Sequence, residues 1–104
     1  MLRIEHAHSL PVDDARARIA ALCDYLNAKL GLTVSWSPDG SRAKVNGRYL
    51  VVTIDGSVII GERAVVFEGK DPGMLWRGKA KEYLAGKLAR YLDPQTPLAS
   101  LRRS

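Results

Sequence analysis

The sequence predicts an α+β fold, a two-layer sandwich in which two helices cover one face of an antiparallel sheet of four to five strands, in the order β-α-β-β-β-β-α. Three observations predict it. Residues 11–30 and 72–92 carry apolar side chains at spacings of three and four, as amphipathic helices do. Short runs before and between them alternate apolar and polar residues, as half-buried strands do. Asn46-Gly47 and Asp55-Gly56 are hairpin signals, and tight hairpins make neighbouring strands antiparallel.

The first strand opens the chain, with Leu2, Ile4, His6 and His8 on one face and Arg3, Glu5 and Ala7 on the other. Ser9-Leu10-Pro11-Val12-Asp13-Asp14 then starts a helix: Ser9 or the Pro11 region supplies the cap, and the two carboxylates complement the positive end of the helix dipole. Val12, Ala15, Ile19, Leu22, Leu26 and Leu30 form its buried stripe, Arg16, Arg18, Asp24 and Lys29 face outward, and Gly31 ends it in a left-handed conformation. Leu32 to Trp36 alternates as a second strand, Pro38-Asp39-Gly40-Ser41 turns, and Arg42 to Val45 is a short third strand. The hairpin signals then place a fourth strand over Arg48–Ile54 and a fifth over Ser57–Phe67. Gly61 marks a bulge in the fifth, or a break that splits it in two. Asp71-Pro72 starts the last helix and Asp93-Pro94 closes it. Residues 1–93 make a single domain; 94–104 form a tail, either loosely ordered or docked through Leu98 and Leu101.

Composition narrows the partners. With 104 residues and a net charge of +5, the chain can build one modest core and can meet an anionic partner. The lone Cys23, on the apolar side of the first helix, reads as a small buried hydrophobe, and a single cysteine fits a reducing cytosol. No apolar run approaches the ~20 residues of a membrane span, and the amino-terminal residues alternate as a strand rather than forming a signal peptide.

Few residues suggest chemistry. His6 and His8 share a strand face but lack the further ligands that a metal site needs, so no metal and no cofactor is expected. Asp13-Asp14 is explained by capping, and Ser9 beside His8 does not make a triad. Asp71 and Pro72 argue against an anion at the start of the last helix, one by charge and the other by its missing N–H. No catalytic residue is therefore assigned, and the chain reads as a non-enzyme. Trp36 and Trp76, each on an apolar face, read as core.

Two surfaces stand out. The last helix carries Arg77, Lys79 and Lys81 near its start, a basic edge suited to an anionic surface or a nucleic acid. Lys79-Ala80-Lys81 after antiparallel strands is similar to the double-stranded-RNA-binding domain, although that fold begins with its helix. Trp76, Tyr83, Leu84, Leu88 and Tyr91 on the same helix are expected to be consumed by the core. Tyr49 to Ile54 reads as apolar on both strand faces, so Tyr49, Val51 and Thr53 mark an interaction face that predicts a homodimer through the open side of the sheet or an edge strand.

His8-Ser9-Leu10 before the first helix, Ala15-Arg16 within it, Gly31-Leu32 after it, Trp36, Gly47, the apolar run at Val58 and the closing helix together resemble the small bacterial polyhydroxyalkanoic acid system family, whose members are encoded near polyester-granule genes. The family has no established catalytic residues. The resemblance implies a cytoplasmic, non-enzymatic binding or structural protein that associates with polyhydroxyalkanoate granules or their coat proteins. Nucleic-acid binding through the basic edge is the first alternative. A small-molecule site between helix and sheet is the second.

Overall fold

The computed structural model describes all 104 residues. Strand β1 (Leu2–Ala7) is followed by helix α1 (Val12–Leu30), strands β2 (Thr33–Trp36), β3 (Arg42–Tyr49), β4 (Val52–Ile60) and β5 (Ala64–Gly69), and helix α2 (Met74–Tyr91). The five strands form one sheet in the order β1-β5-β4-β3-β2, and every neighbouring pair is antiparallel. Alternation along the strands puts Leu2, Ile4, Val65, Phe67, Val58 and Val45 on one face. There they form a single core with Ile19, Leu22 and Leu26 of α1 and Leu88 and Tyr91 of α2.

The ends of α1 follow from local chemistry. Pro11 precedes its first turn, and its carbonyl accepts from Ala15 N–H at 2.9 Å. His8 secures the approach: its Nδ1 accepts from Leu10 N–H at 3.2 Å, so the ring proton resides on Nε2 and donates to Gly61 O at 2.9 Å. Gly31 closes the helix at φ 69°, donating to Asn27 O.

Both expected hairpin signals lie within strands. Asn46 and Asp55 face each other across β3 and β4, and the chain turns instead at Leu50-Val51, with Leu50 at φ 57°. Tertiary packing explains the glycines. A Cβ at Gly47 would fall 3.1 Å from Leu32 Cδ2, and one at Gly56 would fall 2.7 Å from Phe67 Cζ. They permit close approach rather than a turn. Gly61 does break the expected fifth strand: β4 ends at Ile60, and β5 begins at Ala64.

Three further expectations change. Tyr49 to Ile54 is not one strand but the end of β3, a turn and the start of β4, so Tyr49, Val51 and Thr53 share no strand face. The outer face of the sheet is charged rather than apolar: it carries Arg3, Glu5, Glu68, Arg42, Lys44 and Arg48, with Arg3 paired to Glu5 at 2.9 Å and to Glu68 at 3.3 Å. Arg18 does not face outward. It is 5 % exposed and donates to Asp14 Oδ1 at 3.0 Å, Tyr91 O at 3.2 Å and Asp93 O at 2.9 Å. A guanidinium from α1 thus caps the C-terminal carbonyls of α2, where the helix dipole favours a cation. The tail takes the docked form: Leu101 is buried, Tyr91 Oη donates to Arg102 O, and Arg103 pairs with Asp24, while Leu98 stays partly exposed.

Candidate functional site

Helix α2 touches the core along only part of its length. Its buried residues are Leu88 and Tyr91, both in the C-terminal half. The N-terminal half stands away from the sheet and leaves an apolar cleft of about 370 Å3 between α2, the C-terminal end of α1 and the β3–β4 hairpin. Leu26, Leu32, Val45 and Phe67, all buried, form its floor. Trp76, Ala80, Tyr83 and Leu84 of α2 form one wall. Tyr49, Val52 and Ile54 line it from the hairpin, and Lys70, Lys79, Asp55 and Thr53 supply the polar groups, all four exposed.

Sequence positions the parts. Ala80 falls between Trp76 and Leu84 on the inward stripe of α2, and its methyl leaves unfilled the space that a larger side chain would take. Gly56 and Gly69 are paired across β4 and β5, and the Phe67 ring lies over both. A Cβ at Gly69 would fall 3.2 Å from Phe67 Cε1. The floor is therefore an aromatic ring packed against a glycine pair. A sealed empty void of this volume would cost about 9 kcal/mol at about 24 cal/mol per Å3, close to the whole stability of a typical domain. The cleft is tolerated because it opens to solvent.

The rim is apolar where a monomer's surface is ordinarily polar. Leu50 is 70 % and Val51 68 % exposed at the hairpin tip, and Met74 and Leu75 are each 86 % exposed in the first turn of α2. Tyr49 and Val52 flank the first pair, and Pro72 and Trp76 bracket the second; these four residues line the cleft, so each exposed pair adjoins it along the chain without lining it. Leu50 also holds a left-handed conformation that L-residues reach only at a cost of about 1 kcal/mol.

The expected basic edge divides around the helix. Arg77, Lys79 and Lys81 are all exposed. Arg77 Nη2 pairs with Asp71 Oδ2 at 2.6 Å, while Asp71 Oδ1 accepts from Gly73 N–H at 2.9 Å. Arg77 and Lys81 lie about 40° apart around the axis, whereas Lys79 lies about 200° from Arg77. Lys79 is on the cleft side, 5.5 Å from the Trp76 ring. Lower down, Lys87 Nζ lies 4.3 Å from the Tyr25 ring and 5.5 Å from that of Tyr83, closing the seam between the helices. Burial, with Tyr25 beside it, pushes the Tyr83 phenol up to about 12, whereas the Lys87 ammonium lowers Tyr25. Tyr83 is therefore a neutral hydroxyl at neutral pH.

Trp76 borders the cleft instead of filling the core, and Tyr83 is 38 % exposed. Trp36, at the end of the edge strand β2, is 40 % exposed. Helical spacing identified the stripe but not where along α2 the sheet stops covering it. Sequence reasoning missed Leu50, Lys70, Met74 and Leu75. The Met74-Leu75-Trp76 run, three large apolar residues on a helix with one inward stripe, was the available signal, because such a stripe cannot bury all of them.

Two groups that could carry chemistry are taken up by the fold. Cys23 is buried, and desolvation pushes its thiol up to about 12. Both ring nitrogens of His8 are engaged by backbone. No helix is long and apolar enough to cross a membrane.

No curated protein and no solved structure matches the chain. Residues 2–95, from the first strand to just beyond α2, match a family described as polyhydroxyalkanoic acid system protein. The match spans every strand and both long helices, so the chain belongs to the polyhydroxyalkanoic acid system protein family.

Proposed function

We propose that this chain is a non-enzymatic binding protein that attaches to polyhydroxyalkanoate granules through the apolar rim of its cleft. The observation that carries the reading is the exposure of Leu50-Val51 and Met74-Leu75, two apolar pairs that each adjoin residues lining the cleft, all four largely in solvent. Hydrophobic side chains presented in this way gain by leaving water, at roughly 25 cal/mol per Å2. Basic residues nearby, Arg48, Lys70, Lys79 and Lys81, add attraction to an anionic coat without being the main term. The structural work found for His8 and Cys23 supports a binding role over catalysis.

Co-sedimentation with purified granules tests this. The parent is expected to remain bound at high salt. The variant with Leu50, Val51, Met74 and Leu75 all changed to Ser is expected to lose granules while keeping its far-UV circular dichroism. The Arg77→Ala, Lys79→Ala, Lys81→Ala variant is expected to remain bound. Loss of granules by that basic-residue variant, together with salt-sensitive RNA binding by the parent, would transfer the assignment to nucleic acid. Dimers by light scattering that compete with granule binding would assign the rim to a second copy.

A further inference from the structure

A surface contact at the rim leaves the interior of the cleft unexplained, and we infer that this interior binds a single aliphatic chain ending in a carboxylate, with its head at Lys79 and Lys70 and its tail on Phe67 and Val45. Size is the first argument. At about 370 Å3 the cleft lies near the lower end of ligand sites, which run from about 300 to 1,000 Å3. One flexible chain suits that space better than a multi-ring cofactor.

The distribution of polarity is the second. Every floor residue is apolar, and the charged residues of the lining, Lys70, Lys79 and Asp55, are exposed. A ligand must therefore be apolar through its depth and polar at one end. Charge sets the sign of that end. Two lysines line the cleft and neither is ion-paired within the protein, while Asp55, opposite Asn46 and out of phase with the inward-facing Ile54, lies on the outward side of β4. Arg77 is withdrawn from the contest by Asp71. The floor is also preformed, because Gly56 and Gly69 fix the Phe67 ring before any ligand arrives.

Titration calorimetry with octanoate, decanoate and dodecanoate tests the inference. Each added methylene is expected to tighten binding by up to about fourfold until the cleft is full. Lys79→Gln is expected to weaken dodecanoate about tenfold and to leave dodecanol unchanged. Ala80→Phe, which fills the middle of the cleft, is expected to abolish binding of both. Orientation is read in a Trp36→Phe background, where Trp76 is the only tryptophan left. α-Bromododecanoate is expected to quench Trp76 more strongly than ω-bromododecanoate, because the head lies beside Lys79.

Equal quenching by the two bromo acids, or Ala80→Phe binding as tightly as the parent, overturns the inference. If Ala80→Phe does not fold, the quenching contrast in the unfilled cleft decides. The four-serine rim variant separates this inference from granule attachment: it is expected to lose granules and still bind dodecanoate within twofold of the parent. Loss of dodecanoate binding in a folded rim variant would make the interior part of the rim contact and would remove the separate site.

Discussion

The two halves of α2 obey different rules. At its C-terminal end, Leu88, Tyr91 and Leu92 are buried, Arg18 donates to the carbonyls of Tyr91 and Asp93, and the tail returns to bury Leu101. At its N-terminal end no residue is buried, two large apolar residues face water, and one ion pair braces the first turn. One helix is therefore core at one end and open to solvent at the other. The closed half is stabilised well enough to hold the open half at a distance from the sheet, which is how a small domain keeps a cleft without collapsing into it.

Breaking the closed half has the largest expected effect. Arg18→Met removes the donors to two carbonyls at the end of α2 and leaves Asp14 without its partner. A destabilisation of about 3 kcal/mol is expected in urea titration. A loss below about 1 kcal/mol would mean that water caps these carbonyls equally well and that the anchor lies elsewhere.

The floor of the open half comes next. Gly56→Ala brings a methyl to 2.7 Å from Phe67 Cζ and 2.8 Å from Glu68 O. The backbone oxygen cannot swing aside, so about 2 kcal/mol of stability is expected to be lost. The Phe67 ring is expected to tilt into the cleft, so that dodecanoate binding weakens more than granule binding. Equal weakening of both would show that the floor and the rim are one site.

The rim offers a change of opposite sign. Leu50→Gly relieves the left-handed strain, and although glycine costs more backbone entropy, a net stabilisation of about 0.5 kcal/mol is expected. Granule attachment is expected to fall at the same time. A variant that is more stable and less adhesive would show that Leu50 is retained at this turn for contact. Unchanged attachment would confine the rim to Val51, Met74 and Leu75.

The contrast between the halves also explains which features the sequence disclosed. Helical and strand periods report which side chains share a face, so the two-layer sandwich, its antiparallel sheet and the Gly61 break were legible from local patterns. Hairpin position was not. Asn46-Gly47 and Asp55-Gly56 have the composition of turns, but their missing Cβ atoms serve Leu32 and Phe67, which are distant in sequence. The burial of Arg18 was not legible for the same kind of reason: the carbonyls it caps lie more than seventy residues away. The stripe of Trp76, Ala80 and Tyr83 was legible as a stripe. Whether the sheet covers it depends on the angle at which Asp71-Pro72-Gly73 launches the helix, and periodicity carries no information about that angle.

The smallest expected effect tests that launch directly. The carboxyl of Asp71 is held below its ordinary value of 3.8, first by the guanidinium of Arg77 and then by Gly73 N–H. A depressed folded value means that its stabilisation is fully present above 3.8 and is lost as pH falls through the lower, folded value. Asp71→Asn removes the ion pair at every pH. At neutral pH, faster amide exchange is therefore expected at Trp76 and Arg77, whose N–H groups bond Gly73 O at 3.1 and 2.9 Å. Global stability should barely change, because the pair is partly exposed. The exchange difference between parent and variant should shrink as the solution is acidified below pH 3.8. Freed Arg77 should not strengthen dodecanoate binding, because it lies on the flank of α2 away from Lys79. Tighter dodecanoate binding in Asp71→Asn would instead place the carboxylate head on the Arg77 side and reverse the orientation inferred for the chain.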